Sequence, residues 1–366
     1  MGQVVSTPFA LTMTKRSIPP PTTTALGSAA LALGAGQSAA FPIPSWGATG
    51  SGWNGAILAW CSRIHWDAVN RIGWLMCKEA QSTGDGKHKL IRYDEATNTI
   101  TKVYDAVMTE GGGTGTGHGY DSAALDPVTG EFYFVQLYGD FAVVWTGSSW
   151  AKATGAVTNS GNPETSDGPF GFCWHPNLFG PGAKGMVEVR NTNVRGWRYS
   201  LGASSNFSAL GSSGLSGLRY SSGVYCPALD AVIASQGESG QNTIIVRAGG
   251  AVSLSDVQAM PVYASAAVVT GNGDQKMNRL MPTPGGSACI LESASPGKVW
   301  WLNPVTLRWV LQTWTHPLRL SDSSWPAAFV GNHEIYWAWR QQNGGNSAPS
   351  SLIWRPFPNV DSGERF

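Results

Sequence analysis

Charge is scarce in this chain: only 13% of its 366 residues are Asp, Glu, Lys or Arg. Long helices with solvated faces need such residues, so a helical protein is disfavoured. The 24 Lys and Arg against 23 Asp and Glu leave no basic excess to neutralise a phosphate backbone, which argues against nucleic acid as a partner. No apolar run reaches the 18 residues that a spanning helix requires.

The five cysteines, Cys61, Cys77, Cys173, Cys226 and Cys289, are scattered, with no C-x-x-C pair; they read as buried free thiols. The histidines show neither H-x-x-x-H nor H-E-x-x-H spacing, so no metal ligand is assigned and no cofactor is expected. The glycine-rich stretch from Glu110 to His118 lacks the Lys-Ser/Thr of a phosphate loop and reads as a connection.

What the chain has in quantity is glycine (46), proline (22) and tryptophan (17), the vocabulary of turns and packed strands. Two kinds of hairpin alternate along it. The first joins two apolar strands through a turn, as in Ile64 to Met76 and in Ser122 to Val135, where Asp126-Pro127-Val128-Thr129-Gly130 supplies the turn chemistry. Further copies run from Phe172 to Val189, Gly223 to Ala234, Leu280 to Leu291 and Trp325 to Trp339.

The second kind is clearest from Leu90 to Thr101 and from Trp300 to Trp309, with weaker copies around Trp145, Trp197, Val246 and Trp354. Anchored on Tyr93, Trp145, Trp197, Val246, Leu302 and Trp354, the intervals are 52, 52, 49, 56 and 52 residues. A period near 50 marks a propeller whose blades are four-stranded antiparallel sheets. The predicted fold is therefore all-β, a β-propeller of about six blades over residues 41–366, with residues 1–40 as an N-terminal arm that anchors the chain to an assembly or closes the ring. Pro356 and Pro358 make the C-terminal segment a poor outer strand, so a strand around Phe41 to Trp46 or Val4 to Met13 is expected to complete the last blade.

The Tyr93-Asp94-Glu95-Ala96-Thr97-Asn98-Thr99-Ile100-Thr101 hairpin resembles the third and fourth strands of a kelch blade, a likeness that extends over residues 46 to 357. The composition, with its preceding arm, resembles propeller domains that bacteriophages carry on virions as tail, fibre or capsid-associated proteins. That resemblance implies a structural and recognition role on a virion, with the arm docking to other subunits and the propeller reaching a host-surface protein or glycan. It implies no catalytic residues, and the chain is expected not to be an enzyme. A secreted glycan-active enzyme or lectin is the first alternative, and an intracellular kelch-like protein-binding scaffold the second.

The residues from Ala25 to Leu33 also read as the apolar core of a secretion signal, and Met1 to Ser6 match a minimal myristoylation pattern; the arm reading is preferred to both. Ligand contacts are expected from the longest polar loop, through Arg340, Gln342, Asn343 and Asn346. Two aspartates just ahead of innermost strands, Asp121 and Asp322, join them as candidates for a convergent cation or polyol site.

Overall fold

The structure, a computed structural model, describes residues 23–43, 58, 61–78, 88–106, 119, 121–135, 142–152, 171–190, 193–198, 207–212, 221–237, 240–264, 278–294, 296–318, 320, 325–340 and 350–358. A short helix, α1 (Ala25–Leu31), and strand β1 (Ser38–Pro42) precede the repeats. The first blade is β2 (His65–Asp67), β3 (Ile72–Lys78), β4 (His88–Asp94) and β5 (Thr99–Ala106). The second is β6 (Ala123–Leu125), β7 (Phe132–Val135), β8 (Ala142–Trp145) and β9 (Trp150–Lys152). The third is β10 (Gly171–His175), β11 (Gly185–Arg190), β12 (Asn193–Trp197) and β13 (Phe207–Ser212). The fourth is β14 (Gly223–Cys226), β15 (Ala231–Ser235), β16 (Thr243–Arg247) and β17 (Val252–Ser253), and the fifth is β18 (Arg279–Pro282), β19 (Ala288–Leu291), β20 (Gly297–Asn303) and β21 (Arg308–His316).

The sixth blade takes only β22 (Ala327–Val330), β23 (Ile335–Arg340) and β24 (Ser350–Trp354) from the C-terminal part of the chain. Its outer strand is β1, paired antiparallel to β24 with Ser38 opposite Trp354. The innermost strands β2, β6, β10, β14, β18 and β22 each touch the next, and β22 touches β2, so the ring is closed. This is the six-bladed, all-β propeller that the period predicts.

Period-two alternation makes each blade apolar on both faces. Ile72, Trp74 and Met76 face Phe132 and Phe134 of the second blade, whereas Leu75 and Cys77 pack toward Trp337 and Trp339 of the sixth. The core is accordingly a set of wedges, one between each pair of neighbouring blades. Large aromatic residues fill them: Tyr133 meets Trp197 edge-on at 5.4 Å, and Trp354 stacks on Tyr336 at 5.3 Å.

The turns follow from their Asx residues. Asp67 accepts from the amides of Val69 and Asn70 at 3.0 and 2.9 Å, and Asp126 accepts from Val128 at 2.8 Å. Gly130 closes the second of these turns at φ +75, where a Cβ would also meet Asn70 of the neighbouring blade at 2.9 Å. Arg71, Asp230 and Glu334 hold the corresponding left-handed position without being glycine.

The seam between the sixth and first blades carries the least local contacts of the ring. Phe41 of β1 lies edge-on to Trp337 at 5.7 Å, and Ser351 bridges the Phe41 carbonyl and the Trp337 indole. Beneath it, the fully buried Glu95 accepts from Arg71 Nε and Nη2 at 3.1 Å each, from Thr24 at the cap of α1, and bonds His333 Nε2 at 2.8 Å. The helix, the first blade and the sixth are thereby tied at one carboxylate.

Burial alone would push the Glu95 carboxyl up, but the hydrogen bonds of His333 and Thr24 and the charges of His333 and Arg71 outweigh it and hold the group below its ordinary value of 4.5. A depressed carboxyl contributes stability that is complete above the unfolded value and lost as pH falls through the folded one. Wild-type protein should therefore lose melting temperature as pH drops below about 4.5, and Glu95→Gln should be less stable at neutral pH with a shallower acid slope. Phe41→Ala should cost roughly 3–5 kcal/mol by denaturant titration, since it empties the seam wedge.

Candidate functional site

Where the innermost strands begin, one side chain spans the axis. Arg63, just ahead of β2, donates from Nη1 to the Gly223 carbonyl at 2.6 Å. Its Nη2 donates to Ser222 Oγ and the Leu280 carbonyl, both at 2.9 Å, and Nε sits 2.8 Å from Asp121 Oδ1. Asp121 in turn accepts from Ser222 Oγ at 2.6 Å and the Gly223 amide at 3.1 Å, and its carbonyl accepts from Phe172 N at 3.1 Å. The Ile64 amide completes the circle on the Ala327 carbonyl at 2.9 Å. All six blades are joined within this knot. Burial pushes the Asp121 carboxyl above its usual range, opposed by Arg63, by the Ser222 and Gly223 hydrogen bonds and by Arg279.

Above the knot, toward the other end of the same strands, the axis opens into a cavity of about 270 Å³. Arg63, Ile64, Ala124, Phe172, Met281 and Ala328 line its depth. Its rim takes one half-buried residue from each inner strand at the same repeat position: Trp66, Leu125, Trp174, Tyr225, Pro282 and Phe329. The polar handles of two rim aromatics are engaged outward, Trp66 Nε1 with Asn332 Oδ1 at 2.7 Å and Tyr225 Oη with Asp230 Oδ1 at 2.8 Å. Their apolar rings are left to the cavity.

Two wall residues are chemically muted by burial. His65 is pushed down to about 3, by burial first and the Arg63 charge second, and the Cys173 thiol is pushed up to about 12, chiefly by burial. Among the described residues no three His, Cys, Asp or Glu side chains gather as a metal site.

Of the residues chosen from the sequence, Asp121 is 1% exposed and committed to the knot. Arg340 ends β23, half-buried, with its guanidinium 5.1 Å above the Trp325 ring. Both belong to the end of the ring where inner strands begin, away from the cavity rim. Gln342, Asn343, Asn346 and Asp322 lie outside the described residues. Sequence reasoning missed the aromatic rim; its signal is the large apolar residue that closes each inner strand before the turn.

The chain matches no protein-family model and no curated protein. Solved structures share its fold. A protein of unknown function from Bacteroides thetaiotaomicron aligns over 87% of this chain and 76% of its own, with 12% identity and a TM-score of 0.50. A gluconolactonase from Xanthomonas campestris covers 88% and 96% at 10% identity and a TM-score of 0.48, and a putative gluconolactonase covers 88% and 94% at 10% and 0.47. The likeness is one of fold. The expectation that the chain is not an enzyme is withdrawn: gluconolactonases stand among these structures, and a likeness of fold assigns this chain no activity. The likeness bears on neither the kelch resemblance nor a virion role. No helix among the described residues is long and apolar enough to cross a membrane.

Removing the guanidinium strands a buried carboxylate, so Arg63→Met should destabilise the protein by roughly 3–5 kcal/mol in urea titration. Arg63→Met combined with Asp121→Leu should recover a substantial part of that loss, because no charge is then left unpaired.

Proposed function

We propose that this chain is a recognition propeller whose axial cavity seats a small apolar group of its ligand or partner. The observation that carries the reading is the rim: six inner strands each bring an apolar side chain to one mouth, above a cavity of about 270 Å³. Concave, mostly apolar pockets with few polar groups are the usual form of such sites. Among the described residues no Asp, Glu, Asn or Gln lines it, which favours an apolar group over a sugar, whose hydroxyls each need a partner.

The surroundings of the mouth favour a protein as the bearer of that group. Val69 and Val128, at the tips of the first turns of neighbouring blades, are 63% and 69% exposed and extend the apolar surface outward. Composition supplies the setting: low charge and abundant glycine and tryptophan support display of the ring on a virion. In that setting the segment ahead of Thr23 docks to other subunits and the mouth faces a host-surface protein.

Saturation-transfer NMR with toluene tests the cavity reading. Toluene should bind the wild-type chain, and Leu125→Asp, which sets a charge at the mouth, should abolish the signal while Val305→Ser leaves it intact. Equal toluene binding by Leu125→Asp would remove the cavity as the site.

A further inference from the structure

The floor of the cavity narrows the class of group that it takes, given the cavity reading above, on which this inference rests. Arg63 has five N–H donors. Nη2 spends both of its own on Ser222 and Leu280, Nη1 spends one on Gly223, and Nε lies 2.8 Å from Asp121 Oδ1 as an ion pair without a hydrogen bond. The second N–H of Nη1 has no acceptor among the described residues, while Arg63 itself lines the cavity with its side chain 14% exposed. A guanidinium edge is thus presented to a space whose other walls are mostly apolar, the exceptions being His65, the Cys173 thiol and the indole N–H of Trp174.

We infer that the cavity selects a neutral ring compound carrying one carbonyl oxygen at its leading edge, an aryl ketone or a cyclic ester or amide in class. The ring fills the space between Trp66, Trp174, Tyr225 and Phe329, and the carbonyl accepts from Arg63 Nη1. Neutrality follows from the charge already present. Asp121 balances Arg63 at 2.8 Å, so a carboxylate would be desolvated beside a guanidinium whose charge is compensated, with a second buried carboxylate close behind it. An oxygen-free ring leaves the Nη1 donor without a partner in an apolar enclosure. The volume, at the small end for ligand pockets, admits one ring with a short substituent.

The test compares three probes of nearly equal shape on the full chain by ligand-observed NMR titration: acetophenone, ethylbenzene and benzoate. Acetophenone should bind about tenfold more tightly than ethylbenzene, the gain of one hydrogen bond to a charged donor, and benzoate should bind more weakly than acetophenone. Arg63→Lys, which keeps the charge but not the fork, should bring acetophenone down to the affinity of ethylbenzene. Ethylbenzene equal to or tighter than acetophenone would overturn the carbonyl preference and leave the apolar cavity standing. Benzoate tighter than acetophenone would overturn neutrality. Failure of all three to bind would overturn the cavity reading itself.

Discussion

A single guanidinium across the axis is the constraint on which the ring depends. Six strands that begin near one line bring backbone amides and carbonyls into a space too narrow for bulk water, and each must find a partner. Arg63 meets carbonyls from two blades and a carboxylate from a third; Asp121 collects two donors from the fourth blade and bonds the third through its own carbonyl. A branched, planar donor set fits this task, as lysine with its single point of charge does not. By closing one end of the axis, the knot also defines the cavity at the other.

The seam solves a different problem. A chain that wraps once around a ring must join its last blade to its first, and loop closure of that length gains nothing until the final strands pair. Here β1 supplies the outer strand of the sixth blade, and Arg355 holds the end of β24 to α1 through the Ala30 carbonyl at 2.9 Å. Glu95, with partners 71 and 238 residues away, anchors the same junction from the first blade. Two buried carboxylates, one on the axis and one on the seam, therefore hold the long-range geometry, while the blades between them are built from local hairpins.

That division explains what could be read from the sequence. The hairpins are local, so their Asx turns and apolar strands stand out, and every anchor of the repeat, from Tyr93 to Trp354, falls in the third strand of its blade. That a strand from the other end closes the ring was legible too, because Pro356 and Pro358 disqualify the C-terminal segment, but its place was not: it runs from Ser38 to Pro42 and shares only Phe41 and Pro42 with the expected Phe41 to Trp46, while Val4 to Met13 lies outside the described residues. Arg63 was not: its partners lie 160 and 217 residues away, and one arginine ahead of a hairpin resembles any other. Asp121 drew attention as a polar residue near an inner strand, but a local view cannot separate a ligand aspartate from one that neutralises an axial cation. The rim was hidden for the opposite reason, since Leu125 or Phe329 alone reads as core and only the six-fold register gathers them at one mouth.

The axis is a rigid floor rather than a gate, and amide hydrogen exchange under native conditions tests this most directly. The amides of Ile64, Phe172 and Gly223, which bond across the axis, should exchange only by global unfolding, with the same protection as the buried strands β15 and β19. Exchange of these three through local opening, at markedly lower protection than those strands, would contradict the claim that the Arg63 knot holds the ring together.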